Sequence, residues 1–169
     1  MYPRRGCNER VDHRKGLGVL LTSPGGGDRE GDRDQWDLAV LLLNSGLEEA
    51  LAASPTAGAM LTEALRAWQQ LGSTAGVAFA LAGLGEVAAG RGAPRRAGQL
   101  LGAGRTLLPA TDRLIRVIVP YDLSARLTAA RAGGDPAEFD RGLADGQAWD
   151  IDGAVAAGLA EPSVRSANR

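Results

Sequence analysis

The sequence predicts an all-α protein built as an antiparallel array of helix hairpins. Three observations carry that expectation. From Trp36 onward, apolar residues recur at three- and four-residue steps, the spacing that lines one face of a helix. Proline, glycine, serine and aspartate fall at the ends of those runs, where they start and stop helices. The stretch from about residue 40 to residue 109 also resembles itself at an offset of 40 residues, and no convincing strand pair interrupts it.

Residues 1–34 are expected to form a disordered leader. Arg4, Arg5, Arg10, Arg14, Arg29 and Arg33 alternate there with acids, Gly25-Gly26-Gly27 interrupts the chain, and no apolar period is sustained. Only Gly16 to Thr22 reads as a short strand or turn. The first helix then carries Trp36, Val40, Leu43, Leu47 and Leu51 on one stripe. Ser54-Pro55 is expected to end it and to open the second helix, Ser as N-cap and Pro at the first helical position. That helix turns Ala57, Met60, Leu61, Ala64, Leu65 and Trp68 inward, and Leu71-Gly72-Ser73 closes it.

The third helix is expected from Thr74 to Ala89 with a stripe of Val77, Leu81, Leu84, Val87 and Ala88, closed by Gly90-Arg91-Gly92. Ala93-Pro94 opens the fourth, whose stripe is Ala97, Leu100, Leu101, Gly104 and Leu108, ending near Pro109. Leu114 to Val119 is β-branched and reads as an extended connector. Pro120 fits the first turn of a fifth helix running to Ala132, which Gly133-Gly134 stops. Asp135-Pro136-Ala137-Glu138 predicts a capping box at the start of a sixth helix that buries Phe139 and Leu143. Asp150 caps a seventh, with Ile151, Val155 and Leu159 inward. The domain plan is therefore a leader (1–34), two hairpins (35–111), a helical cap (112–160) and a disordered tail (161–169).

Composition narrows the function classes. The chain has 169 residues, one domain's worth, with 44% hydrophobic and 23% charged residues. Aromatics are only 4%, so the core rests on Leu, Val and Ala and on close approach of helices. With 19 basic and 20 acidic residues, net −1, no bulk field draws the chain to nucleic acid or membrane. One cysteine (Cys7) and one histidine (His13), both in the leader, leave no disulfide framework and no Cys/His zinc site. Neither a signal peptide nor a membrane span is present, which points to the cytoplasm. Lys15 is the only lysine, and Ala, Gly, Arg and Leu dominate, a bias expected of a GC-rich bacterial genome.

At an offset of 40, Leu41 falls on Leu81, Ala57 on Ala97, Leu61 on Leu101 and Ala64 on Gly104. The first helices align better at 37, where Leu47 meets Leu84 and Glu49 meets Glu86. In the second unit, Leu81, Leu84, Gly85, Ala88, Gly92, Ala97, Leu101 and Pro109 stand at the spacings of a tetratricopeptide repeat, which this unit resembles closely. The first unit matches less well, with Asn44-Ser45 where Leu-Gly is expected.

From about Ala64 to Ala160 the chain also resembles the MalT-like C-terminal helical region of bacterial ATPase/LuxR-type transcriptional regulators. The similar stretches are Ala64 to Gly72, Gly76 to Gly85, Arg96 to Ala103, Phe139 to Gly146 and Asp152 to Val155. Leu114 to Val119 departs from that family's polar linker, and Leu143 or its neighbour stands for its usual Trp. The resemblance implies a right-handed solenoid that senses a partner or ligand. No ATPase motif or helix-turn-helix accompanies it here, so their chemistry does not carry over.

No residues form a catalytic constellation. Gly25-Gly26-Gly27 lacks the frame of a phosphate loop, and Gly83-x-Gly85 sits inside a helix. Asp145, Asp150 and Asp152 lack EF-hand spacing, and Glu48-Glu49 point in different directions on a helix. Arg91, Arg95, Arg96, Arg105, Arg113 and Arg116 are basic with Asp112 alone among them, while residues 135–152 are acidic apart from Arg141. Either these arginines meet an acidic partner or nucleic acid, or the acidic part lies against the basic part. The fan of Arg95, Arg96 and Arg105 around the fourth helix, without interleaved aromatics, argues against nucleic acid.

Trp36 and Trp68 read as core anchors and Trp149 as the exposed aromatic. The expectation is a non-enzymatic, TPR-like interaction module without cofactor or metal, regulatory or sensing. Its candidate partner-binding residues are Arg91, Arg95, Arg96, Arg105 and Trp149, and its repeat-packing residues are Leu81, Leu84, Gly85, Ala88, Ala97 and Leu101. Self-association through an exposed face of the first helix is expected as well. The alternatives are a truncated C-terminal fragment of a LuxR-type regulator and, last, an Arg-mediated nucleic-acid binder.

Overall fold

The computed structural model describes residues 30–108 and 121–160. The expectations for residues 1–29, the connector Leu114 to Val119, Arg113, Arg116 and the tail 161–169 lie outside the described residues. Those that are described are all-α. Seven helices follow in order: α1 (Glu30–Leu51), α2 (Ala57–Gln70), α3 (Thr74–Gly90), α4 (Pro94–Leu107), α5 (Leu123–Ala132), α6 (Pro136–Gln147) and α7 (Ile151–Leu159). The predicted leader therefore gives up Glu30 to Asp34, which continue the helix upstream of Trp36.

Local chemistry sets most of the ends. The turns after α1, α2 and α3 share one closure, a left-handed residue followed by a backbone N–H that reaches back five residues. Gly72 (φ 66°) and Gly92 (φ 70°) fill that position without strain. Ala53 (φ 54°) fills it after α1 at a cost, while Ser54 N–H donates to the Glu49 carbonyl at 2.9 Å. The Ser73 hydroxyl accepts from Gly76 N–H, Pro94 takes the first position of α4, and Asp150 accepts from Gly153 N–H.

Two further starts and one cap differ from expectation. Ser54 does not cap α2, which begins only at Ala57 behind a helical Thr56 that makes no cap bond. Instead the Ser54 and Thr56 hydroxyls bond each other at 2.8 Å, and Thr56 donates to Glu49. Helix α5 starts at Leu123, after Pro120, because the Asp122 carboxylate accepts from both Ser124 and Ala125 N–H. At α6 only half of the capping box forms. Asp135 accepts from Ala137 and Glu138 N–H, but the Glu138 carboxylate turns to Arg141.

Glycines seat the hairpins. A Cβ on Gly46 would meet Leu61, and a Cβ on Gly85 would meet Leu101 and the Ala97 carbonyl, in each case the same seat of a second helix on a first. The first helices are thus related by 39 residues (46 to 85) and the second helices by 40 (61 to 101). The first unit is one residue shorter from seat to seat, yet its turn runs from residue 52 to 56 where the second unit's runs only from 91 to 93, so α2 starts late. Neither 40 nor 37 holds for the first helices: Leu41 is 62% exposed where Leu81 is fully buried.

Between the hairpins, α3 is central. Ala75 to Gly85 are all buried, so the expected stripe is a helix covered on every side. Gly76 lies under Trp68, Gly83 against Leu47 and Leu61, and Gly104 against the Ala78 carbonyl. Trp36 and Trp68 meet edge to face at 4.7 Å and anchor the far end of the α1–α2 hairpin, as expected. Leu51, in contrast, projects past the hairpin and is 51% exposed, and Ile151 is 37% exposed.

The C-terminal helices do not repeat the hairpin. Helix α6 lies parallel to α4 and closes on it through four glycines. Gly98 and Gly102 face the Phe139–Leu143 backbone, while Gly142 and Gly146 face the Arg95 and Gln99 carbonyls. Phe139 is buried there and Leu143 is half-buried. Helix α7 folds back across the hairpins, its Gly158 against Leu65 and Leu81.

Candidate interaction surface

The residues named for repeat packing lie buried together. Leu81, Ala97 and Leu101 are fully buried, and Leu84 and Ala88 nearly so. The Ala97 carbonyl stands 3.2 Å from where a Gly85 Cβ would sit, so the two backbones touch.

The candidate binding arginines separate. Arg95 pairs with Asp145 at 3.0 Å, between two partly exposed side chains. Arg96 donates to the Ala157 carbonyl in the last turn of α7, where a cation meets the negative end of a helix. Burial there lowers its pKa. Arg91 and Arg105 are exposed, and Arg91 reaches over Gly58. Two of the four are thus turned to the acidic C-terminal helices. Trp149 is half-buried against the main core and is not the exposed aromatic expected of it.

Two more ion pairs tie the C-terminal helices. Arg131 grips Asp140 with two bonds of 2.7 Å, which hold the Asp140 carboxyl below its ordinary pKa. Arg126 Nε lies 3.2 Å from Glu86 Oε1, joining α5 to α3. That second pair is not aligned for a hydrogen bond, and the buried Tyr121 hydroxyl stands beside the same carboxylate. Burial is the main cause that raises the Glu86 pKa, against the pull of Arg126 and of the Tyr121 hydroxyl. Arg126 also stands 5.9 Å over the Tyr121 ring, which meets Phe79 edge to face. Sequence spacing gave no hint of this cluster, because its members come from α3, from α5 and from the residue before its cap.

A cleft of about 130 Å³ opens where the α2–α3 turn meets α7, lined by Trp68, Gln69, Ser73, Val77, Asp152 and Val155. Its volume suits one aliphatic side chain and is below that of pockets for cofactor-sized ligands. Among the described residues no three Asp, Glu, His or Cys side chains stand close enough to hold a metal ion, and no helix is long and apolar enough to cross a membrane. Neither a family model, nor a curated protein, nor a solved structure matches this chain.

Proposed function

We propose that this chain is a non-enzymatic, tetratricopeptide-like interaction module that binds a protein or peptide on its stacked hairpins. In this reading it acts in regulation or sensing in a bacterial cytoplasm. One observation carries the reading: the same glycine-on-leucine seat occurs twice in tandem, at Gly46–Leu61 and at Gly85–Leu101. Stacked hairpins of this kind bury a continuous core and leave an extended surface for a partner. Peptide-display selection against the full chain tests it. Saturable binders that compete for one site support the reading. Turnover of hydrolase or transferase substrates by the folded protein would refute it, as would a selection that yields no saturable binder.

A second reading, a C-terminal fragment of an ATP-dependent LuxR-type regulator, is favoured by the outer face of α1. Leu38 and Leu41 stand there one turn apart, 53% and 62% exposed, where a further helix of a longer array would pack. ATPase or helix-turn-helix coding sequence in the neighbouring frames supports this reading; unrelated frames dismiss it. Nucleic-acid binding is disfavoured by Arg95 and Arg96, which are already engaged, and predicts an affinity that falls steeply with salt.

A further inference from the structure

Helix α5 is held unlike any other described helix. No residue of it is buried, although α1, α2, α3, α4, α6 and α7 each bury at least three. It lies on a floor of Ala82, Ala88, Ala97, Leu101 and Phe139 from α3, α4 and α6. It reaches that floor with Leu123, Leu127 and Ala130, the i, i+4, i+7 face of an amphipathic helix. Its charged anchor, Arg126, stands 3.2 Å from Glu86 Oε1 out of hydrogen-bond alignment, and the Tyr121 hydroxyl just before α5 shares that nearly buried carboxylate. The groove therefore offers an apolar floor with one acidic group, and its present occupant meets both only in part.

We propose that this groove is a docking site for a partner's amphipathic helix carrying an arginine or lysine to Glu86, and that α5 is its displaceable occupant in cis. The carboxylate sets the partner's chemistry. A helix that presents only apolar residues would leave Glu86 charged and unpaired under cover, and an acidic one would add repulsion. The apolar floor sets the rest, with small or branched side chains one and two turns apart. A helix of ten residues has little stability of its own, so α5 gains its order from the groove and loses it when displaced. The proposal rests on the interaction-module reading for its biological use only, since displacement of α5 is measured on the chain alone.

The probe is a fluorescent synthetic peptide of residues 121–134, added to the full chain. Hydrogen exchange expects α5 amides to exchange faster than those of α3 and α4, and faster still when the peptide is bound. A chain carrying Arg126→Ala and Leu127→Ala, a weakened occupant, should bind the peptide about tenfold more tightly than the parent. Because no α5 residue is buried, these changes leave the hairpins folded, which circular dichroism checks. An Arg126→Ala peptide should bind about tenfold more weakly than the parent peptide, and Glu86→Gln in the chain should remove most of that difference.

Four results would overturn the proposal: no saturable binding in the millimolar range, binding that leaves α5 protected, equal affinity of the two peptides, or dimerisation by exchange of α5 with the peptide left unbound. Failure here with display-selected binders seated elsewhere leaves the module reading intact. Displacement of α5 without any selectable partner does the reverse.

Discussion

Adding one methyl group to the α4–α6 crossing should weaken the protein, although it improves the helix that receives it. A Cβ on Gly102 would lie 2.5 Å from the Leu143 carbonyl oxygen and 3.3 Å from its Cα, all backbone atoms that no rotamer change can move. Clearing an ordinary 3.4 Å contact requires the helices to part by roughly 0.9 Å along their shared length. Such overpacking costs about 1–3 kcal/mol. Loss of Cα–H contacts to facing carbonyls adds about 0.5–1 kcal/mol each. Alanine returns about 1 kcal/mol of helix propensity.

Gly102→Ala should therefore lose about 2 kcal/mol, a large part of a domain's usual 5–15 kcal/mol. Gly90→Ala is the control, since it sits at the end of α3 with nothing within 4 Å of its Cβ, and it should gain up to about 1 kcal/mol. Urea titration followed by circular dichroism measures both, with midpoints compared at equal slope. If Gly102→Ala stabilises the chain as Gly90→Ala does, the helices are not in backbone contact and the account of their crossing fails.

Three further outcomes follow from local geometry. Ala53→Gly should stabilise by about 1 kcal/mol, because Ala53 holds φ 54°, whereas Gly92→Ala should cost about as much; thermal melts of the pair report the opposite signs. Asp135→Ala removes the acceptor of two N–H groups at the start of α6 and should cost about 0.5–2 kcal/mol by urea titration. Glu86 binds its proton more tightly folded than unfolded, so its contribution to stability should rise as pH falls from its raised value toward the ordinary 4.5. Glu86→Gln should erase that component and hold or raise stability at neutral pH. Asp140, held low by Arg131, has the opposite sign: its stabilisation is present above the ordinary aspartate value and is lost as pH falls through the lowered one. Stability measured against pH for each variant separates the two.

What the sequence made legible was local. Pro94, Asp135 and Asp150 act within one helical turn of themselves, so residue type alone placed their helix starts. Ser54-Pro55 misled because the stretch from glycine to leucine is one residue shorter there while the turn itself is longer, a fact visible only once Gly46 is seen on Leu61. The same shortening defeated any single repeat offset. The α4–α6 crossing had a signal, glycines four apart at 98 and 102 and again at 142 and 146, but no spacing says which two helices meet. The opposed charges of the Arg91–Arg116 and Asp135–Asp152 stretches foretold Arg95–Asp145 in outline. Glu86, Tyr121 and Arg126 had no such signal, because an isolated acid on an apolar helix reads as a solvated one until the covering helix is known.

Two hairpins in tandem each seat a leucine of the second helix on a glycine of the first. Nuclear Overhauser contacts in solution test this seating directly, from the Gly46 α-protons to the Leu61 methyls and from the Gly85 α-protons to the Leu101 methyls. Both contacts are expected. Absence of both in a folded, assigned protein, or a seat at one glycine without its counterpart at the other, would contradict the tandem arrangement on which the functional reading stands.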